Sequence, residues 1–129
     1  MWAFWLWNRK CPLYAGTFLR NKVGQDTKKQ RVAEAAIKEL QDGIILGVGT
    51  GSTINFFIDA LANHAQNLDA VVSSSEESTA RLNKLGISVS SLANTGDVDL
   101  YIDGADEATQ NLHLIKGGGG ALTREKILA

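Results

Sequence analysis

A single cysteine, Cys11, excludes any disulfide within one chain and any multi-cysteine metal centre. It also makes a reducing, cytoplasmic setting the natural expectation. Histidine is scarce as well. His64 falls near the end of a helical pattern and His113 lies between Leu112 and Leu114, positions that read as surface or structural rather than metal-ligating. Neither sign of charge is in excess, at net −1 with 21% charged and 44% hydrophobic residues, so the totals point neither to disorder nor to a nucleic-acid partner. The apolar opening Met1-Trp-Ala-Phe-Trp-Leu-Trp7 is far shorter than the about 20 residues that span a bilayer and lacks the positive start of a secretory signal, so no membrane partner is expected. No internal repeat or low-complexity tract interrupts the chain.

What is present amounts to one domain at most, since 129 residues can bury only about two thirds of the surface that the unfolded chain exposes. The near-neutral total hides an asymmetry. Residues 1–25 contain Arg9, Lys10, Arg20 and Lys22 and no acid, which leaves the remainder acidic. That stretch has few serines and no amphipathic period, as a targeting segment would require, and is expected to be a disordered extension ahead of a domain spanning 26–129.

In that domain, Thr27-Lys-Lys-Gln30 fits a capping box, and Val32, Ala33, Ala36, Ile37 and Leu40 follow at helical spacing until Asp42-Gly43. Ile44 to Val48 is a short apolar run of the kind found in buried parallel strands. A glycine-rich turn follows, then a helix with Ile54, Phe57, Ile58 and Leu61 on one face. The pattern repeats with a strand at Leu68 to Val72, a capping box at Ser74 to Glu77, and a helix through Leu82 and Leu85 closed by Gly86. Ile87 to Val89, Val98 to Ile102 and Leu112 to Ile115 read as further strands, and Ala121 to Ala129 as a helix. Strands alternating with helices predict an α/β fold, a parallel sheet with right-handed crossovers and helices on both faces.

Ligands of such sheets gather at the carboxyl ends of the strands, and three unusual loops fall there. Gly49-Thr50-Gly51-Ser52-Thr53 offers backbone amides at a helix N-terminus together with hydroxyls, which suits an anion, although the same turn would serve as a plain tight connection. It is neither a dinucleotide fingerprint nor a P-loop, because Ser52 stands at the third glycine position and the P-loop lysine is missing. Asp103-Gly104-Ala105-Asp106 sets two carboxylates three residues apart, able to hold sugar hydroxyls or a metal ion, or simply to cap a turn. Lys116, followed by Gly117, Gly118, Gly119 and Gly120, is harder to treat as a connection, because consecutive glycines cost conformational entropy. Something must approach that backbone closely, and the lysine would complement a negative ligand. Glu125, between Arg124 and Lys126, reads locally as a solvated surface residue.

Taken together, Gly47-Val-Gly-Thr-Gly-Ser-Thr53, Val71-Val-Ser-Ser-Ser75, Tyr101-Ile-Asp-Gly-Ala-Asp106-Glu107 and Ile115-Lys-Gly-Gly-Gly-Gly120-Ala-Leu-Thr-Arg-Glu125-Lys126 closely resemble the ribose-5-phosphate isomerase A family, from about Thr27 to Ala129. The resemblance implies a three-layer Rossmann-like sheet, here incomplete at the C-terminus because the family continues with more sheet, a further substrate-binding lysine and a small second domain. It implies a metal-independent, cofactor-free interconversion of ribose 5-phosphate and ribulose 5-phosphate through an enediolate, in the non-oxidative pentose phosphate pathway. On this basis Glu125 matches the general base. Lys116 with Gly117, Gly118 and Gly119, the segment Asp103 to Asp106, and Thr50, Gly51, Ser52 and Thr53 match substrate-binding segments. Lys116 would stabilise the developing oxyanion, and one of Asp103 and Asp106 would relay the proton between O1 and O2. The Thr50 loop could hold either end of the sugar. The family is usually homo-oligomeric. The rival expectation is a sugar-phosphate sensor domain, which would share the fold and the anion turn without needing Glu125, or an inactive fragment.

Overall fold

The computed structural model describes residues 3–8, 11–17, 24–105, 107–108, 114–115 and 127. In chain order the elements are β1 (Ala3–Asn8), β2 (Cys11–Thr17), α1 (Gln25–Ile37), β3 (Ile45–Val48), α2 (Ser52–Leu61), a 3-10 turn (Ala65–Asn67), β4 (Ala70–Ser73), α3 (Glu76–Lys84), α4 (Leu92–Thr95), β5 (Leu100–Ala105), β6 (Glu107–Ala108) and β7 (Leu114–Ile115).

Five strands form one sheet in the order β2-β1-β5-β3-β4, in which β5, β3 and β4 are parallel. Alternation along these strands divides the core. Leu46, Val48, Val71, Leu100 and Ile102 face a large cluster with Val32, Ala33 and Ala36 of α1, Ile54, Phe57, Ile58 and Leu61 of α2, and Leu82 of α3. Val72 and Tyr101 face the opposite side with Val98, and Leu92 of α4 packs there. Helical residues therefore cover both faces of an α/β sheet, with α1, α2 and α3 together on one of them.

Several local expectations shift. The helix α1 starts at Gln25 with Gly24 as its N-cap and no side-chain cap, so Thr27-Lys-Lys-Gln30 lies inside the helix instead of boxing its end. Its last turn tightens, as the amides of Lys38, Glu39 and Leu40 bond to carbonyls three residues back, and it stops short of Asp42-Gly43. The cap of α3 is Ser75, one residue later than expected, whose Oγ accepts from Ser78 N at 3.1 Å. Its other end follows the sequence. Gly86 at φ 80° lets its own amide reach Asn83 O and the Ile87 amide reach Leu82 O, both at 3.0 Å, which is a Schellman closure.

Ile87 to Val89 does not form a strand; a single parallel bridge between Val72 and Ser90 takes its place. Leu114–Ile115 joins no parallel sheet but pairs antiparallel with β6. The largest departure is at the opening, where a disordered extension is expected. Ala3–Asn8 and Cys11–Thr17 instead form an antiparallel hairpin, and β1 pairs antiparallel with β5 from Ala3↔Ala105 to Asn8↔Leu100. The sheet is thus mixed. Aromatic residues such as Phe4, Trp5 and Trp7 favour strands, and Pro12, which cannot donate to a ladder, sits in β2, the terminal strand of the sheet. Among the described residues no helix is long and apolar enough to cross a membrane.

Candidate active site at the carboxyl ends of β3 and β5

The β3 strand leads through α2 to β4 on one side, while β5 pairs with its other side, so strand order reverses between β3 and β5. Their carboxyl ends are where an open α/β sheet binds ligands. At the end of β3 two glycines stand two residues apart, facing β5. Gly47 is in register with Tyr101, and a Cβ there would lie 2.7 Å from Tyr101 Cδ2 and 3.0 Å from Val98 Cγ1. Gly49 stands beneath Asp103, where a Cβ would overlap the carboxylate and lie 2.6 Å from Asp103 Cβ. These two glycines therefore leave room for a tyrosine ring and a carboxylate on the next strand.

Asp103 is fully buried. Its Oδ1 accepts from the amides of Gly104 (2.7 Å) and Thr50 (3.2 Å), and its Oδ2 accepts from the Tyr101 hydroxyl (2.7 Å). The carboxylate thus spans the ends of both strands, a burial that its donors make tolerable. The turn is held from below too. Gly49 N donates to Ile102 O (2.8 Å), and Gly49 O accepts from the buried Ser78 Oγ of α3 (2.7 Å). Gly51 has φ 112° and supplies no side-chain cap to α2, so the turn delivers the first-turn amides of α2 without a competing side-chain acceptor. Gly51 and Ser52 are exposed, Thr50 is half-buried and Thr53 is buried.

The structure brings Thr50, Gly51, Ser52, Thr53, Asp103 and Gly104 to one place, with Ala105 closing β5. Asp106, Lys116, Gly117, Gly118, Gly119 and Glu125 lie outside the described residues. Tyr101 and Ser78 have no role assigned from sequence, yet they hold the turn. The available signal is the pair Gly47 and Gly49, two positions apart at the end of β3, which leaves room for something bulky alongside. On the far side of α2, an exposed Arg81 pairs with Asp59 of that helix through Nη2 at 2.7 Å and Nε at 3.1 Å. That hydrogen bond raises the Arg81 pKa above its ordinary value.

Ser74 follows β4 beside Gly49, with its amide donating to Val48 O at 2.9 Å. Its hydroxyl is buried and has no hydrogen-bond partner among the described residues. Removing an unsatisfied buried hydroxyl costs little or stabilises. Urea unfolding of Ser74→Ala should therefore give a stability within about 0.5 kcal/mol of the parent or above it, whereas a loss beyond about 1.5 kcal/mol would mean that the hydroxyl is bonded.

Over 101 residues, 78% of its length, the chain is 57% identical to the curated ribose-5-phosphate isomerase A of Stenotrophomonas maltophilia. The chain belongs to the ribose-5-phosphate isomerase A family. The family model described as ribose 5-phosphate isomerase A (phosphoriboisomerase A) matches residues 70–129. Solved family structures agree with the fold: the enzyme from Neisseria gonorrhoeae is 43% identical, with a TM-score of 0.76 over 81% of this chain and 47% of that one. A D-ribose-5-phosphate isomerase in complex with phospho-erythronic acid is 34% identical, with a TM-score of 0.78 over 82% of this chain and 48% of that one. The Plasmodium falciparum enzyme is 38% identical, with a TM-score of 0.72 over 81% of this chain and 46% of its own. The chain spans about half the length of the relatives it matches. This family membership is what lifts Asp103 and the Thr50 turn from a well-packed loop to a candidate ribose-5-phosphate isomerase site.

Proposed function

We propose that this chain interconverts ribose 5-phosphate and ribulose 5-phosphate, as its family's name implies, at the carboxyl ends of β3 and β5. The observation that carries the reading is the buried Asp103 clamp on the Thr50 turn, in a chain 57% identical to a ribose-5-phosphate isomerase A. An exposed anion-seeking turn held by a fixed carboxylate suits a ligand with a phosphate at one end and hydroxyls along its length. Phospho-erythronic acid, the ligand of one solved relative, is such a molecule, and its planar carboxylate has the shape and charge of an enediolate.

In the open-chain aldose, Glu125 takes the proton from C2 as the C1 carbonyl oxygen gains charge, giving the enediolate. Lys116 and the amides of Gly117, Gly118 and Gly119 stabilise that oxyanion. The same carboxyl returns the proton to C1, while the hydroxyl proton passes from O2 to O1 through Asp103 or Asp106, leaving the ketone at C2. Thr50, Gly51, Ser52 and Thr53 hold one end of the sugar, and Asp103, Gly104, Ala105 and Asp106 line its hydroxyls. The chemistry requires no metal and no cofactor, and it fits a cytoplasmic enzyme acting on a soluble sugar phosphate.

The test is NMR of ribose 5-phosphate incubated with the 129-residue chain in D2O. The expected result is ribulose 5-phosphate, with solvent deuterium entering at C1 or C2 as the shared proton exchanges. A folded chain that binds ribose 5-phosphate without converting it would replace this reading with a sensor, and one that does neither would remove both.

A further inference from the structure

We propose that Tyr101 is a positioning residue of this site: its buried hydroxyl fixes the Asp103 carboxylate in the orientation that clamps the Thr50 turn to the end of β5. The inference deepens the isomerase reading and rests on it for the identity of the ligand.

Three observations carry it. Tyr101 and Asp103 are both 0% exposed and stand two residues apart on β5, on the same face, so the hydroxyl reaches Asp103 Oδ2 at 2.7 Å within one strand. The tyrosine is itself immobilised, because its ring occupies the space left by Gly47. The third observation is geometric. Rotation about the terminal bond of an aspartate is intrinsically broad and moves both oxygens together. The Tyr101 bond to Oδ2 therefore opposes any rotation that would carry Oδ1 away from Thr50 N and Gly104 N. Low polarity around the pair strengthens the bond. Tyr101 touches no substrate in this arrangement; it acts through Asp103 and the turn.

Tyr101→Phe keeps the ring over Gly47 and removes only the hydroxyl. On the 15N-labelled chain, amide exchange of Thr50 and Gly104 should quicken by about tenfold, while exchange of the core amides of Leu46 and Ile58 stays at the parent rate. Affinity for ribose 5-phosphate, read by titration, should fall by about tenfold. Parent-like exchange at Thr50 and Gly104 overturns the proposal, as does faster exchange there with unchanged affinity. Quickened exchange across the core would show a structural role for the hydroxyl and also overturns it. If the parent does not bind ribose 5-phosphate, the isomerase reading fails on its own, and exchange at Thr50 and Gly104 still decides whether Tyr101 sets the clamp.

Discussion

Glu125→Gln should lower kcat for ribose 5-phosphate isomerisation by about a thousandfold or more while leaving the Kd for the sugar phosphate within about threefold of the parent. Glutamine has the shape of glutamate and can still hydrogen-bond, but it cannot accept a proton from carbon. An interaction used only in the transition state costs kcat and spares binding. Steady-state kinetics paired with calorimetric titration reads both quantities. Parent-like turnover would place the base elsewhere, whereas a Kd that rises as steeply as kcat falls would make Glu125 a binding residue.

Gly49→Ala should be the most damaging small substitution in the described part of the chain. The added methyl would overlap the Asp103 carboxylate and meet Asp103 Cβ at 2.6 Å, so rotation of the side chain alone does not relieve it and the strand end must move. Overpacking of this kind, with loss of the bonds to Thr50 N and Gly104 N, should cost on the order of 3 kcal/mol. Gly24→Ala is the control, because nothing lies within 4 Å of a Cβ there. As an N-cap change it should cost less than about 1 kcal/mol. Urea unfolding of the two variants separates the cases: similar stabilities would show that β3 and β5 do not approach as closely as their register implies.

Much of this fold is written locally. The apolar run of β3, the face formed by Ile54, Phe57, Ile58 and Leu61, and the Gly86 closure of α3 each depend on residues within a few positions of one another, and all appear as expected. The Thr50 turn and Asp103 stand out for the same reason, since each comes straight after a short apolar run, although β5 extends through Asp103 to Ala105 where the sequence suggests a loop. What is not legible depends on partners far away in sequence. That Gly47 and Gly49 make room for Tyr101 and Asp103 follows from a register joining residues more than fifty positions apart. Ile87 to Val89 has strand-like composition, but the turn at Gly86 leaves it only a bridge at Ser90. The opening hairpin escapes notice because its partner is β5, and an aromatic run with no visible turn pattern gives no hint of that pairing. The role proposed for Glu125 is illegible locally for a different reason: a glutamate flanked by Arg124 and Lys126 reads like any charged helix face.

The most direct test of the account is a titration of the 15N-labelled chain with ribose 5-phosphate, following the backbone amides. The account predicts saturable shifts that are largest at Thr50, Gly51, Ser52, Thr53 and Gly104, with inorganic phosphate moving a subset of them more weakly. Shifts centred elsewhere, or none in a folded chain, would contradict the placement of the site at the carboxyl ends of β3 and β5.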